Sequence, residues 1–298
     1  MAITKTSTAL ANTLPTILES ARYTQEATAV MSGLAWNIRK KLHDGKTVTI
    51  PTFGYVNASA LTEGVDMAAP TTMLDTNVVL TPAEVGCQIL ITDKMERDNQ
   101  EDVVRAAGRM LGAAMERKRD IDLYNELING TTNLGSGTTM TMGQIAAARA
   151  TLKGNIYTSG GPAPEPYVMV HHPYSLLDIV DVLTPLVSTS AANTGYLGTM
   201  PGRITENVLR NYRVGRLFGV DIVEDGNATI TSANSAGGVF SRGEGGSVIL
   251  CTALEWDIKP DPDPSLRATE LNIVGEYDTG IYDAEWIVEM YIDATAPA

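Results

Sequence analysis

Apolar residues along this chain follow two different periods, and the switches between them divide it into blocks. From Ala27 the set Ala27, Val30, Met31, Leu34, Ile38 and Leu42 steps by three and four, which predicts an amphipathic helix. Arg39, Lys40 and Lys41 close it where cations suit the helix dipole, and Gly45 ends it. The strongest helical pattern is VVRAAGRMLGAAMERKRDIDLYNELING, Val103 to Gly130, where Val103, Ala107, Met110, Ala114, Ile121, Tyr124 and Ile128 form one stripe. Asp98 is placed to cap it, with Glu101 three residues on. At about 1.5 Å per residue such a helix runs roughly 40 Å, longer than a small domain is wide. Gly108 and Gly112 each cost about 1 kcal/mol relative to alanine in a helix interior, so close backbone approach by another element is expected there.

Between these helices, residues 47–93 carry short strand-like runs at Val48 to Ile50, Val78 to Leu80 and Gln88 to Thr92. The Gly/Pro/Ala/Thr-rich middle is too apolar for a disordered linker and too poor in bulky residues to build its own core. The segment therefore predicts a hairpin that leans on another surface. Residues 1 to about 22, rich in Thr, Ala and Ser, predict an arm that orders only against something else.

A shorter helix is predicted over Gly143 to Leu152, and NIYTSGGPAPEP (Asn155 to Pro166) is dense in turn residues and marks a boundary. Beyond it YVMVHH reads as a buried strand, PYSLLDIVDVL and RITENVLRNYRVG as helices, and LFGVDIVED as a strand. The tail gives the strand-like runs SVILCT, LEWDIK and ELNIVGEY. In the closing GIYDAEWIVEMYIDA, Tyr282, Ala284, Trp286, Val288, Met290 and Ile292 alternate with wetter positions, predicting one long half-wet strand.

Composition changes this picture in three ways. With 298 residues and 44% hydrophobic content the chain can build a sizeable core, while only 19% charged and 6% aromatic residues suit broad, closely packed surfaces. A net charge of −13 repels a phosphate backbone, which argues against dedicated nucleic-acid binding. No secretory h-region and no bilayer-length apolar run is present, so no membrane partner is expected. Cys87 and Cys251 lack any paired spacing and are expected to be reduced, half-buried thiols.

Catalytic and cofactor chemistry finds little support. His171 and His172 are strand neighbours pointing to opposite faces and cannot hold one metal together. GSGTT at Gly135 to Thr139 and GEGGS near Gly243 lack the lysine of a phosphate loop and read as flexible turns. Asp261 and Asp263 in KPDPDPSL read as a surface turn rather than a calcium site. No spaced nucleophile and base occurs, so no catalytic residue, metal or cofactor is assigned.

Charge distribution is more informative. Residues 47–93 hold the acids Glu63, Asp66, Asp75, Glu84 and Asp93 and no Lys or Arg. Arg105, Arg109, Arg117, Lys118 and Arg119 decorate the long helix, and Arg203, Arg210, Arg213 and Arg216 lie on or just after a later one. Either these are solvated faces, or an acidic hairpin reaches a neighbouring copy's basic surface. On the second reading Glu63, Asp66, Asp75, Arg105, Arg109, Arg203, Arg210, Arg213 and Arg216 are the candidates for contacts between subunits.

The order of arm, protruding loop, long helix, inserted α/β unit and closing strands resembles the major capsid protein of tailed phages, the Hong Kong 97 fold. TVTIPTFGYVNASALTEGVDMAAPTT resembles the extended loop, and VGCQILITDKMERDNQEDVVRAAGRMLGAAMERKRDIDLYNEL the return strand and spine helix. The resemblance implies an α+β chain divided into an N-terminal arm and helix (1–46), an extended loop (47–93), a peripheral domain with the spine helix (94–159), an axial domain (160–250) and strands closing the peripheral domain (251–298). It implies a homo-oligomer of pentamers and hexamers forming an icosahedral shell around packaged DNA, assembled in the host bacterial cytoplasm, with scaffolding, portal and decoration proteins as further partners. Two features depart from some relatives. No lysine lies between Lys46 and Lys94 for an isopeptide weld, and too few residues precede the loop for a long cleaved scaffold. An encapsulin-type compartment shares the pattern and stays open, and a soluble α+β enzyme is the reading from a different class.

Overall fold

The computed structural model describes residues 29–41, 45–54, 56, 58, 60–64, 75–98, 103–155, 161–183 and 215–297. The expected arm, the cap partner Glu101 and nearly all of RITENVLRNYRVG lie outside them. In chain order the described elements are a 3-10 turn (Met31–Gly33), β1 (Trp36–Arg39), β2 (Val48–Phe53), β3 (Asp75–Leu80), β4 (Ala83–Thr92), α1 (Asp93–Asp98), α2 (Val103–Asn125), β5 (Thr132–Thr138) and α3 (Met142–Gly154). There follow β6 (Tyr167–His171), α4 (Pro173–Leu183), β7 (Arg216–Leu217), β8 (Val220–Glu224), β9 (Ile230–Thr231), β10 (Asn234–Ser241), β11 (Val248–Asp263), β12 (Ala268–Ile281) and β13 (Ile287–Asp293).

The strands form three sheets. One has four strands in the order β1-β11-β12-β4, one has seven with the path β5-β13-β10-β6-β8-β7 and β9 beside β10, and the hairpin β2-β3 stands by itself. Ala107, Leu111 and Met115 of α2 pack on Ile91, Leu271 and Ile273 of the four-stranded sheet. One helical step further on, Leu123 and Tyr124, with Leu127 just beyond, pack on Val168, Val170, Phe240 and Ile287 of the seven-stranded sheet. The 23 residues of α2 span about 35 Å at 1.5 Å per residue, so one rigid rod ties the two sheets together. Burying each of Leu111, Met115, Leu123 and Leu127 contributes about 2 kcal/mol, which holds the rod to both.

The helix exists where expected, but its buried face is turned. Ala107, Leu111, Met115, Asp120, Leu123 and Tyr124 face inward, whereas Met110 is 56% exposed and Ile128, in a following 3-10 turn, 46%. Two overlapping stripes compete in this sequence, and the one with the bulkier Leu and Met side chains is buried. Gly108 and Gly112 have open space where a Cβ would stand, so among the described residues no element makes the close approach expected there. A separate short helix, α1, precedes α2, with Asp98 as its last residue rather than as a cap for α2.

Three further expectations are overturned. The predicted helix from Ala27 is a 3-10 turn and strand β1, because Trp36 to Arg39 pair in parallel with Ile249 to Thr252 of β11 and bury Trp36 and Ile38 against Ile249 and Cys251. Sheet pairing outweighs local helical period here. GSGTT is no free turn, since β5 runs through Thr138 beside β13, with an irregular register where Gly135 adopts φ 100. The closing run is not one strand either. A 3-10 turn (Ala284–Trp286) interrupts it, and Ile287 to Met290 are buried on both faces because β13 is an inner strand between β5 and β10.

The segment drawn as 251–298 is thus shared between sheets, β11 and β12 in one and β13 in the other. β4, drawn as part of the loop 47–93, lies at the edge of the four-stranded sheet against β12. Shorter predictions fit well. α3 starts with a capping box at Thr141 and Gln144, β6 is buried throughout, and α4 coincides with PYSLLDIVDVL.

Candidate inter-subunit surfaces

The hairpin β2-β3 is anchored at one end and open at the other. Val48 pairs with Leu80, Ile50 with Val78 and Phe53 with Asp75. Alternation sends Val48, Ile50, Val78 and Leu80 toward Ile249 and Cys251, and Thr81 N donates to Asp278 Oδ2 at 2.6 Å. The opposite face carries Thr49, Pro51, Phe53, Asp75, Asn77 and Val79, all exposed. Phe53 is 59% and Val79 56% exposed, and toward the tip Leu61 reaches 66%. A strand pair whose outward face keeps a phenylalanine and a valine in water has apolar area to offer a partner.

The four-stranded sheet beneath is held to α2 by directional bonds as well as by packing. Trp256 Nε1 donates to Glu116 Oε1 at 2.6 Å, Tyr277 OH to Asp122 Oδ2 at 2.7 Å and Thr279 Oγ1 to Glu126 Oε1 at 2.9 Å. Glu116 and Asp122 on α2, with Glu126 in the 3-10 turn that follows it, fix the rotation of the helix, which apolar contact alone leaves free. Burial and the Asp122 carboxylate push the Tyr277 phenol well above the usual tyrosine range, so it stays a donor. Arg119, read from sequence as surface decoration, is only 12% exposed and pairs with both carboxylate oxygens of Glu116, while its guanidinium stacks 4.8 Å from the centre of the Trp256 ring.

The sequence-derived contact candidates fall on three places. Glu63 and Asp75 are exposed on the hairpin. Arg105 and Arg109 are exposed on α2, where each already interacts within the chain. Arg216, in β7, is exposed, lies 3.4 Å from Asp221 and donates to the Gly219 carbonyl oxygen. Asp66, Arg203, Arg210 and Arg213 lie outside the described residues.

Among the described residues no cluster of three or more metal-ligating side chains occurs. His171 is fully buried and burial pushes its ring down to about 3, while His172 is half-buried and accepts from Tyr174 N at 3.1 Å. Cys87 is exposed and Cys251 buried, both free. Asp263, the last residue of β11, accepts from Ser265 N and Leu266 N at the turn into β12, whereas Asp261, expected in a surface turn, lies within β11 opposite Glu270 of β12.

A pair of buried carboxyls escaped the sequence reading. Asp120 and Asp225 are both 0% exposed and share Asn227 as a hydrogen-bond partner. The available signal was a carboxylate at position 120, four residues from Glu116 and Tyr124, on the face that the larger apolar residues bury.

A family model described as phage capsid protein matches residues 78–290. The fold is similar to a solved chain from Mycobacterium phage Che8, with TM-score 0.67 and 17% identity over 92% of this chain and 95% of that one. It is similar to the capsid of Cyanophage P-SCSP1u at TM-score 0.66 and 14% identity, over 94% and 93% of the two chains. The capsid of a native GTA particle gives TM-score 0.69 and 11% identity over 98% and 100%. No curated protein matches this sequence. At such identities the solved structures establish the α+β, Hong Kong 97-type fold, and the family model supplies the assignment. Because that model spans most of the chain, including three strands of the four-stranded sheet, the spine helix and most of the seven-stranded sheet, the chain belongs to the phage capsid protein family and is a structural protein of the bacteriophage head shell.

Proposed function

We propose that this subunit tiles an icosahedral shell as pentamers and hexamers, and that the hairpin at residues 47–93 reaches onto a neighbouring copy. The observation that carries this reading is the hairpin's division into a packed face and an outward face that leaves Phe53 and Val79 exposed, on strands whose other side lies against Ile249 and Cys251. Each such contact is small, but a tile held by several at once is held firmly. Head-to-tail, non-identical surfaces of this kind close into rings.

The seven-stranded sheet with α3 and α4 fits the axial role around symmetry centres, and the four-stranded sheet with α2 the peripheral one. Packaged DNA is enclosed without sequence-specific contact, and a net charge of −13 favours a wall that does not grip it. Assembly takes place in the host bacterial cytoplasm. Scaffolding, portal and decoration proteins complete the particle.

Removing the hairpin tip, residues 57–72, is expected to leave a soluble, folded subunit that builds no stable shells, measured by negative-stain microscopy alongside thermal unfolding. Shells of normal yield from this deletion would refute the proposed role. Reversing Arg210 and Arg213 to glutamate is expected to raise the concentration needed for assembly, by less at high salt, since exposed charges beyond about 8 Å are screened at physiological ionic strength. An unchanged assembly curve returns these arginines to a solvated face.

A further inference from the structure

Val30 and Met31 lie at the first described stretch of the chain, and one carboxylate holds them. Asp120 Oδ1 accepts from Val30 N and from Met31 N, each at 2.8 Å, and Asp120 Oδ2 accepts from Asn227 Nδ2 at 2.8 Å. Three donors converge on this one fully buried side chain, which satisfies most of its acceptor capacity. Met31 itself is 0% exposed among Leu123, Tyr124 and Leu127, so the hydrogen bonds and the apolar plug secure the same point.

Asp225, just after β8, is the second buried carboxyl. Its Oδ1 accepts from Asn227 N at 2.8 Å, while its Oδ2, with no solvent access, has no donor among the described residues. Two ionised carboxylates sharing one asparagine in the interior repel strongly, and among the described residues no cation offsets the charge at Asp225. A proton on Asp225 Oδ2 removes both difficulties. It turns the orphaned acceptor into a donor and gives Asp120 its fourth hydrogen bond.

We propose that Asp225 carries a proton on Oδ2, directed at Asp120, and that losing it loosens the hold on Val30 and Met31, so that the anchoring of these two residues depends on pH.

The surroundings agree. Burial is the largest influence on Asp225 and, with the Asp120 charge, pushes it up to about 7 against the opposing Asn227 N–H. Tyr124 of α2 sits nearby, hydrogen-bonded to Ser235 Oγ of β10, and burial pushes its phenol up, so it stays neutral. His171, whose carbonyl accepts from Asp225 N, is held neutral by burial. Glu224 of β8 lies at the surface, where partial desolvation raises its carboxyl, and residues 30–31 bring no titratable group. Because the folded value lies above the unfolded one, the stabilising contribution is complete in acid and is lost as pH rises toward about 7.

The test is amide hydrogen exchange, corrected for intrinsic rate, on the peptide spanning residues 29–34 of the full chain at about pH 5.5 and about pH 8.5. On the order of a tenfold rise in opening at Val30 and Met31 is expected, with opening there remaining far more frequent than in β6 at both pH values. Asp225→Asn, whose amide donates to Asp120 at every pH, is expected to abolish the rise. Protection that stays constant with pH in the wild type, or an equal rise in Asp225→Asn, overturns the proposal. Should that variant fold poorly, the Asp225 carboxyl carbon shift of the wild-type chain reads the same proton. Titration near neutrality supports the latch, and a midpoint below about 5 overturns it.

Discussion

Gly237→Ala is expected to yield little folded subunit. Gly237 lies on β10, the inner strand flanked by β13 and β6, opposite Met290. A Cβ there would stand 2.4 Å from the Val170 carbonyl oxygen and 2.6 Å from His171 Nδ1. Neither can retreat, since one is backbone of a fully buried strand and the other a ring enclosed on all sides. Overpacking of this kind costs about 3 kcal/mol or more, against a total stability of roughly 5–15 kcal/mol for a domain. The same methyl at Gly108 enters open space on α2 and should raise stability by about 1 kcal/mol through helix propensity. Denaturant midpoints of the two variants should move in opposite directions, with Gly237→Ala recovered mostly as insoluble chain. A Gly237→Ala subunit within about 1 kcal/mol of wild type would show that β10 does not lie in this register.

Asp120→Ala carries the second large effect. The substitution leaves Val30 N, Met31 N and Asn227 Nδ2 without their acceptor in the interior. Each stranded donor costs about 1–3 kcal/mol, and water entering the new cavity recovers part of it, so a loss on the order of 4 kcal/mol is expected. Asp120→Asn keeps one acceptor oxygen but turns an amide toward the Asn227 amide, and should fall between. Chemical denaturation of the unassembled subunit checks both, and a loss below about 1 kcal/mol for the alanine variant would mean that the buried carboxylate is not what holds Val30 and Met31.

These two positions also mark where sequence reading stopped. Strong periodic signals were legible: α3, α4 and β6 follow from their own residues, and α2 follows in extent though not in orientation. Its facing was ambiguous because Met110 and Ile128 compete with Leu111 and Leu127 for the same apolar stripe, and only the neighbouring sheets decide. β1 was missed because Trp36 to Arg39 gain their partner from β11, more than 200 residues away in sequence. β10 was missed because NSAGGVFS carries two glycines that weaken any strand signal, and the closeness of β6 and β13 that requires them is invisible until the sheet is formed. Of the candidate contact residues, Glu63, Asp75, Arg105, Arg109 and Arg216 do reach the surface, as charged residues generally do. Arg119 went the other way, because Trp256 offers a ring face that no local pattern announces.

The place of β13 bears on how such a subunit can fail. Residues 287–293 fill the slot between β5 and β10. A chain in which this strand is cut away or fails to dock keeps two unpaired strand edges in the middle of its larger sheet. Open edges of that kind invite pairing with other chains, and the sheet cannot present the finished surfaces on which a growing particle selects its next copy.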